Sequence, residues 1–296
     1  MAADTASPGE REPPRLRRRW LVNAALLAVV AVLAGFYFYY RSQEKTEAAG
    51  PPLTAIAVEQ VTRVHIVRPG QPATTLEKHG DDWRLVAPFA ARANRFAVEN
   101  VLRVAGARSE LGLDGGEPRR YGLETPLARL LLGDEAIEFG ALHPFRPQLY
   151  VRYRGKVHLI PATALASVAR SASHFIDGRP IEAGRRLVGL RLPGFALALK
   201  DGAWQRQPPD QSLASDRLSD FVAQWANAMA LSVEPAGMRP ALATIRLELQ
   251  RPDAKPETLA LEVLAYKPTF VLRRRDEKLE YHFPEEIGKQ LLNLEK

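Results

Sequence analysis

The order of apolar and polar residues separates one long apolar run near the N-terminus from many short alternating segments after it. Residues 20–40 are apolar apart from Asn23, which lies near the start of the run. A helix of that length rises about 32 Å, which matches the roughly 30 Å hydrocarbon core of a bilayer. The run therefore predicts a transmembrane helix over residues 20–40.

Basic residues are distributed unequally around this run, and their distribution predicts an orientation. The nearest ones before it, together with the tryptophan that opens it, form the anchor flank: Arg15, Arg17, Arg18, Arg19 and Trp20. Only Arg41 and Lys45 follow closely, and they are mixed with glutamates. Because segments rich in Lys and Arg stay in the cytoplasm, residues 1–19 are predicted to be a cytoplasmic tail and residues 41–296 to lie across the membrane.

A cleaved signal peptide is the alternative explanation of the same run. Signal peptides carry shorter apolar regions, of about 7–15 residues, and end at small residues. This run is longer, and it ends in the aromatic residues 36–40, which suit the interface between membrane and water. A retained anchor is therefore the favoured interpretation.

Small residues recur along one face of the predicted helix. Ala24, Ala28, Ala31 and Gly35 are separated by four, three and four positions, so they stack on one side. Membrane helices approach each other closely at such faces. The stripe predicts a packing face for a partner helix, and the alternative is an accidental stripe in a chain that is rich in alanine.

An internal duplication is the second main feature of the pattern. Three alternating segments open each copy, and the third contains Trp83 in the first copy and Trp204 in the second. An amphipathic helix, four further strands and a last helix follow in both copies. Leu149 lies 66 positions after Trp83, and Phe270 lies 66 positions after Trp204. This agreement predicts two copies of a β-β-β-α-β-β-β-β-α unit.

The predicted fold class is α+β, with mainly antiparallel sheets and helices packed on a face. A linker is predicted at residues 41–52, repeat 1 at residues 53–177 and repeat 2 at residues 181–296.

Helix ends are predicted from capping residues. Asn94 and Ser215 are expected to cap the first helix of each copy, because each side chain can accept a hydrogen bond from a first-turn amide. The last helix of each copy is expected to start at a proline, Pro161 or Pro284, where a missing amide is harmless.

Composition narrows the functional classes. Hydrophobic residues make up 46% of the chain and charged residues 25%, which is typical of a folded protein. The chain has no cysteine, so disulfides, thiolate metal ligands and thiol nucleophiles are excluded. The net charge of +7 includes the arginines of the anchor flank, and the other basic residues are scattered. The bilayer is therefore an expected partner and nucleic acid is not.

Several segments resemble a bacterial protein family known as domain of unknown function 4340. The resemblance rests on the N-terminal anchor, the tryptophan strand at residues 81–88, the helix start at 93–95, the turn at 121–126 and the strand that begins at Leu149. It runs over nearly all of residues 53–296 and is weakest in the second copy. The family has no established activity, and the resemblance implies only that some relatives are auxiliary components beside ABC-type export systems linked to gliding motility.

No motif predicts a catalytic, cofactor-binding or metal-binding residue. The six histidines lack the spacing of metal ligands. His143 lies in a loop with Phe145 and Arg146, which makes it the best single candidate for a contact site. His174 lies near two serines and Asp177, but the nucleophile turn of serine hydrolases is absent.

The strongest basic cluster beyond the anchor flank is a run of three arginines that recurs in part in the first copy. Strand residues two positions apart share a face, so members of each group are expected to lie side by side. The candidate anion-binding surface comprises Arg152, Arg154, Arg273, Arg274 and Arg275. Its ligands would be the phosphates of teichoic acid, lipopolysaccharide or phospholipid, and the alternative is a sheet edge that charge keeps soluble.

Together these features predict a non-enzymatic protein of the bacterial inner membrane, with residues 41–296 in the periplasm. The expected role is an accessory or scaffold subunit of a cell-envelope or ABC-type transport complex, beside a membrane-protein partner. Two alternatives are a periplasmic module that binds an envelope glycan or lipid, and a hydrolase that acts on envelope polymers.

Overall fold

The computed structural model describes most of the chain. The described ranges are residues 15–46, 50–110, 113–114, 117–252 and 254–294, with backbone alone at 15–22, 40–46 and 113–114. Contacts between Cα atoms divide the chain into two compact units, Met1–Pro51 and Pro52–Lys296.

The first unit contains helix α1, which spans Arg15–Thr46. Each side chain from residue 23 to residue 39 is exposed, including large apolar ones such as Leu27 and Phe38. Within the described part of the chain, no helix reaches the length and apolarity that crossing a bilayer requires. The transmembrane span at residues 20–40 stays a prediction.

The second unit opens with an antiparallel sheet of nine described strands, sheet 1. In chain order they are β1 Arg63–Arg68, β2 Gln71–His79, β3 Asp82–Ala87, β4 Ala91–Arg92, β5 Leu113–Asp114, β6 Ala128–Leu132, β7 Glu135–Leu142, β8 Gln148–Tyr153 and β9 Lys156–Pro161. Across the sheet their order is β4-β3-β2-β1-β6-β7-β8-β9-β5. Alternating residues of β1, such as Val64 and Ile66, are fully buried, as the polar–apolar pattern requires.

Eight strands of the described chain form a second antiparallel sheet, sheet 2. They are β10 Arg186–Leu192, β11 Phe195–Lys200, β12 Ala203–Gln207, β13 Ser232–Pro235, β14 Ala243–Gln250, β15 Glu257–Ala265, β16 Thr269–Arg274 and β17 Leu279–Pro284. Their order is β12-β11-β10-β14-β15-β16-β17-β13.

The two sheets repeat one topology. In each sheet, three consecutive strands form a meander, and the first of them pairs with the first of four later consecutive strands. A short strand pairs with the last of these four at the far edge. The α+β class and a repeat-like architecture are thereby confirmed. The predicted unit lacked this closing strand, β5 or β13, and it also lacked β4, which covers the edge of sheet 1 next to β3.

The helices of the second unit bury apolar stripes against the sheets. They are α2 Arg95–Leu102, α3 Thr163–Val168, α4 Ser215–Ala226 and α5 Glu285–Leu292. The stripe of α4, formed by Leu218, Phe221, Val222 and Trp225, is buried as its spacing predicts. Burial of each such side chain stabilises the fold by about 1.5–3 kcal/mol. The Trp225 indole also donates a hydrogen bond of 2.8 Å to the carbonyl of Leu291, which joins α4 to α5.

One predicted helix cap is confirmed and three predicted helix starts are wrong. Asn94 caps α2 by accepting a hydrogen bond from the Ala97 amide at 3.2 Å. Ser215 is instead the first helical residue of α4 and makes no cap bond, because Ala214 occupies the capping position. Pro161 and Pro284 are instead the last residues of strands β9 and β17. A proline is tolerated at a strand end because no further amide hydrogen bond to the neighbouring strand is needed there. The helices start after the prolines.

Candidate functional site at the junction of the two sheets

A charged network centred on Arg92 connects sheet 1 to sheet 2. Its guanidinium donates to the carboxylate of Asp177 at 2.9 Å and to that of Glu277 at 2.7 Å. It also donates to the carbonyl of Arg179 at 2.5 Å and to the hydroxyl of Tyr281 at 3.2 Å. The Arg92 side chain is only 15% exposed, so most of this charge is removed from water.

Backbone pairing places these groups beside each other. The Asp177 amide donates to the carbonyl of Arg92 at 2.9 Å, and the Asn94 amide donates to that of Phe175 at 2.7 Å. The segment after α3 therefore runs along β4 before it enters the second copy. Glu277 comes from the turn between β16 and β17, 185 positions after Arg92 in the chain.

Arg274 extends the network from the side of sheet 2. It donates to the carbonyl of Pro180 at 2.7 Å and lies 3.3 Å from the carboxylate of Glu277. It also forms an ion pair with Asp276. The half-buried Arg92 and the buried Arg274 thus hold the connection between the copies, residues 177–180, against the last hairpin of sheet 2.

The electrostatics of the network favour its charged state. Burial alone lowers the pKa of Arg92, but the hydrogen bond and charge of Glu277 outweigh it and raise the pKa. Burial, together with the charge of Glu277, raises the pKa of the Tyr281 hydroxyl, which donates to that carboxylate at 2.5 Å. Because each charge has an opposite partner, the network favours a fixed geometry over proton transfer.

The five arginines of the predicted anion-binding surface lie in three different environments. Arg274 belongs to the network just described. Arg273 and Arg275 both contact Glu262, at 2.6 Å and 2.5 Å.

In sheet 1 the matching arginines pair in the same way. Arg152 donates to Glu138 at 2.6 Å, and Arg154 donates to Glu135 at 3.1 Å. Arg129 adds a second cation to Glu138.

Arg152 and Arg273 lie in strands, whereas Arg154 and Arg275 lie in the turns that follow β8 and β16. Each of these arginines faces a carboxylate that the sequence did not indicate.

The four small residues of the predicted packing face are exposed on α1. They are Ala24, Ala28, Ala31 and Gly35. A Cβ atom added at Gly35 would meet no atom within 4 Å. The side chains of the anchor flank, from Arg15 to Trp20, lie outside the described residues.

The histidines singled out from the sequence do not join a catalytic group. His143 lies beside the rings of Tyr150 and Phe145, with centroids 5.7 Å and 6.3 Å away. His174 lies in a short helical turn, where burial and the charge of Arg170 lower its pKa. Asp177, which lies near His174 in the chain, is held by Arg92 and Arg179.

One serine–histidine contact was missed by sequence analysis. The hydroxyl of Ser109 lies 2.8 Å from Nδ1 of His158, whose pKa is lowered by burial and by Lys156. Ser109 is only 4% exposed, so a substrate has no access to it. No sequence signal connects these residues, because 49 positions separate them. Among the described residues, no group of three or more His, Asp or Glu side chains is placed to hold a metal ion.

Comparison with known protein families gives a match over more than half of the chain. Residues 83–248 match the model of the family described as "Domain of unknown function (DUF4340)". The matched region starts in the tryptophan strand of sheet 1 and ends in β14 of sheet 2. No curated protein and no solved structure matches the chain.

Proposed function

The chain belongs to the DUF4340 family, and on that premise we propose that it is a non-enzymatic accessory or scaffold subunit of a cell-envelope or ABC-type transport complex. In this proposal α1 anchors it in the bacterial inner membrane, and residues 41–296 stand in the periplasm.

The observation that carries the proposal is the exposed apolar surface of α1. Residues 23–39 expose their side chains on every side of the helix, and Leu26, Val30, Leu33 and Phe36 are each more than half exposed. Exposed apolar surface of this extent marks a contact with a membrane or with another protein. A bilayer covers all sides of a helix at once, and a partner helix can replace lipid along the small-residue stripe.

The network around Arg92 supports a scaffold more than a catalyst. It fastens residues 177–180 to both sheets through paired charges, so the two copies present their outer surfaces in a fixed arrangement. A partner that contacts both copies would then bind without the entropic cost of ordering them.

The test is purification of the intact protein from its native membranes in a mild detergent, with co-purifying proteins identified by mass spectrometry. A matched sample carries an unrelated membrane helix in place of residues 20–40. We expect a near-stoichiometric membrane-protein partner in the first sample and its loss from the second. Recovery of the protein without a partner in both samples would contradict the proposal.

A further inference from the structure

A groove of about 510 Å³ lies on sheet 2, between the segment that follows β13 and the turn from β16 to β17. Its lining includes four cationic side chains: Arg239, Arg273, Arg275 and Lys278. It is distinct from the network at Arg92, because Arg273 and Arg275 both contact Glu262. Arg274 instead contacts Pro180 and Glu277 in that network.

One buried arginine shapes the wall of this groove. The guanidinium of Arg273 donates to the carbonyls of Gly237 and Arg239 at 3.1 Å and 2.8 Å, and its side chain is 8% exposed. From the same wall, the carboxylate of Glu280 accepts the Gly237 amide at 2.7 Å and pairs with Arg239 at 2.6 Å. The segment at residues 236–240 is therefore held in place before any ligand arrives.

The cations of the groove outnumber the carboxylates that neutralise them. Glu262 serves both Arg273 and Arg275, and Glu280 serves Arg239. Lys278 is exposed and has no ion-pair partner among the described residues. The four cations thus share two carboxylates in ion pairs. Glu234, opposite Glu280 in β13, is a third carboxylate nearby, so the positive excess is smaller than the ion pairs alone give.

The exposed arginines retain hydrogen-bond donors for a ligand. Arg275 is 74% exposed and Arg239 is 52% exposed, although each makes one ion pair. A guanidinium carries five donors in a planar fork that matches the oxygens of a phosphate group, and an ammonium adds a compact charge. The groove is shallow and open to solvent, so a phosphate group can reach these donors directly.

We propose that this groove binds a phosphate-bearing ligand through Arg239, Arg275 and Lys278, while Arg273 acts as a positioning residue for the wall. The phosphate group is either a terminal monoester-like group or the diester of a lipid headgroup. This binding function is separate from the accessory role proposed above and does not depend on it.

Sheet 1 offers a matched control at the equivalent turn. In sheet 1 Arg154 opens the turn and Lys156 begins β9. In sheet 2 Arg275 and Lys278 are the first and last residues of the longer turn. Arg154 has a carboxylate of its own, because it pairs with Glu135. Substitution of either pair by glutamine removes two positive charges, so a nonspecific attraction of anions would fall equally in both variants.

The experiment is isothermal titration calorimetry of the full chain in a neutral detergent. Inorganic pyrophosphate is the first probe and glycerophosphoglycerol, the headgroup diester of phosphatidylglycerol, is the second. We expect saturable binding of at least one probe, weakened about tenfold or more in Arg275→Gln/Lys278→Gln. The variant Arg154→Gln/Lys156→Gln should bind as the unchanged protein does. Thermal unfolding checks that both variants are folded.

The outcomes separate the ligand classes. Binding of pyrophosphate alone indicates a terminal phosphate, and binding of the diester indicates a lipid headgroup; either supports the proposal. Absence of binding to both probes, or an equal loss in the two variants, would overturn it. If the variant of sheet 2 is unfolded, Arg239→Gln is compared with Arg154→Gln, because each removes one positive charge and the Arg239 side chain is half exposed and lies outside the strands.

Discussion

At the scale of single residues, the arginines differ in how far the fold neutralises their charge. Arg273, Arg274 and Arg275 are adjacent in the chain, yet Arg274 holds the junction, Arg273 holds the groove wall and Arg275 is largely exposed. The alternation of β16 accounts for the opposite directions of Arg273 and Arg274, and Arg275 lies in the turn that follows. The alternation does not account for their partners, which come from other strands and from the segments between them.

Removal of Arg92 should be the most disruptive single change at the junction. In Arg92→Ala, Asp177 keeps Arg179 and Glu277 keeps Arg274, but both carboxylates lose the cation they share in a site largely closed to water. The free energy of unfolding should therefore fall by about 1.5–3 kcal/mol. Urea unfolding of the full chain in a neutral detergent, followed by tryptophan fluorescence, measures the loss.

Arg95 provides the control for this prediction, because it pairs with Glu99 on the exposed side of α2. The same measurement on Arg95→Ala should give a free energy of unfolding close to that of the unchanged protein. Equal losses in the two variants would show that the junction network does not stabilise the fold more than a surface pair does.

The pH dependence of stability should include a contribution from Asp276. Burial opposes ionisation of this carboxyl, but the hydrogen bond and charge of Arg274 outweigh burial and hold its pKa below the ordinary value. A carboxyl with a lowered pKa in the folded state stabilises the fold above its unfolded pKa, of about 4. That stability is lost as the pH falls through the lower folded pKa.

The variant Asp276→Asn should therefore lose stability at neutral pH and depend less on pH below about pH 5. Urea unfolding at a series of pH values, compared with the unchanged protein, measures both effects. Parallel curves for the two proteins would show that the pairing with Arg274 does not shift the titration of Asp276.

At the scale of elements, the long strands were predictable and the shortest strands were not. Strands such as β1 and β14 show enough alternating positions for a period of two to be recognised. The strands β4 and β5 have two residues each, which is too few to show any period. They form because a neighbouring strand leaves its edge open, and that condition exists only once the sheet has folded.

Helix α5 depends on a close approach that only glycine permits. A Cβ atom added at Gly288 would lie 2.4 Å from the Cβ of Phe270 in β16, which is too close for either to adjust by a side-chain rotation. Alanine favours helices over glycine by about 1 kcal/mol, but overpacking costs about 1–3 kcal/mol. The overpacking should prevail here, and Gly288→Ala should unfold at a lower urea concentration.

The matched control is Gly106→Ala. A Cβ atom at Gly106 would meet no atom within 4 Å, so this variant should unfold at an unchanged or slightly higher urea concentration. A stability of Gly288→Ala equal to that of the control would mean that α5 shifts away from β16 without cost.

At the scale of the whole molecule, the small-residue stripe of α1 predicts a packing face for a second membrane helix. Leucine at Ala28 and Ala31 adds bulk where a second helix would approach, so association in a membrane reporter assay should weaken. The control is leucine at Val29 and Val30, which lie on the opposite face, and it should leave association unchanged. If both variants associate as strongly as the unchanged helix does, the predicted packing face is wrong.

The sequence by itself determined the period of each long element, the duplication of the topology and the apolar run of α1, because these properties depend on residues that are neighbours along the chain. Only the tertiary structure decided which charges meet. Arg92 contacts Glu277 across 185 positions, and Arg273 meets the carbonyls of a segment more than 30 positions before it. The physical reason is that ion pairs and edge strands depend on the distance in space between residues that are far apart in the chain. Those distances are set only when the chain has folded.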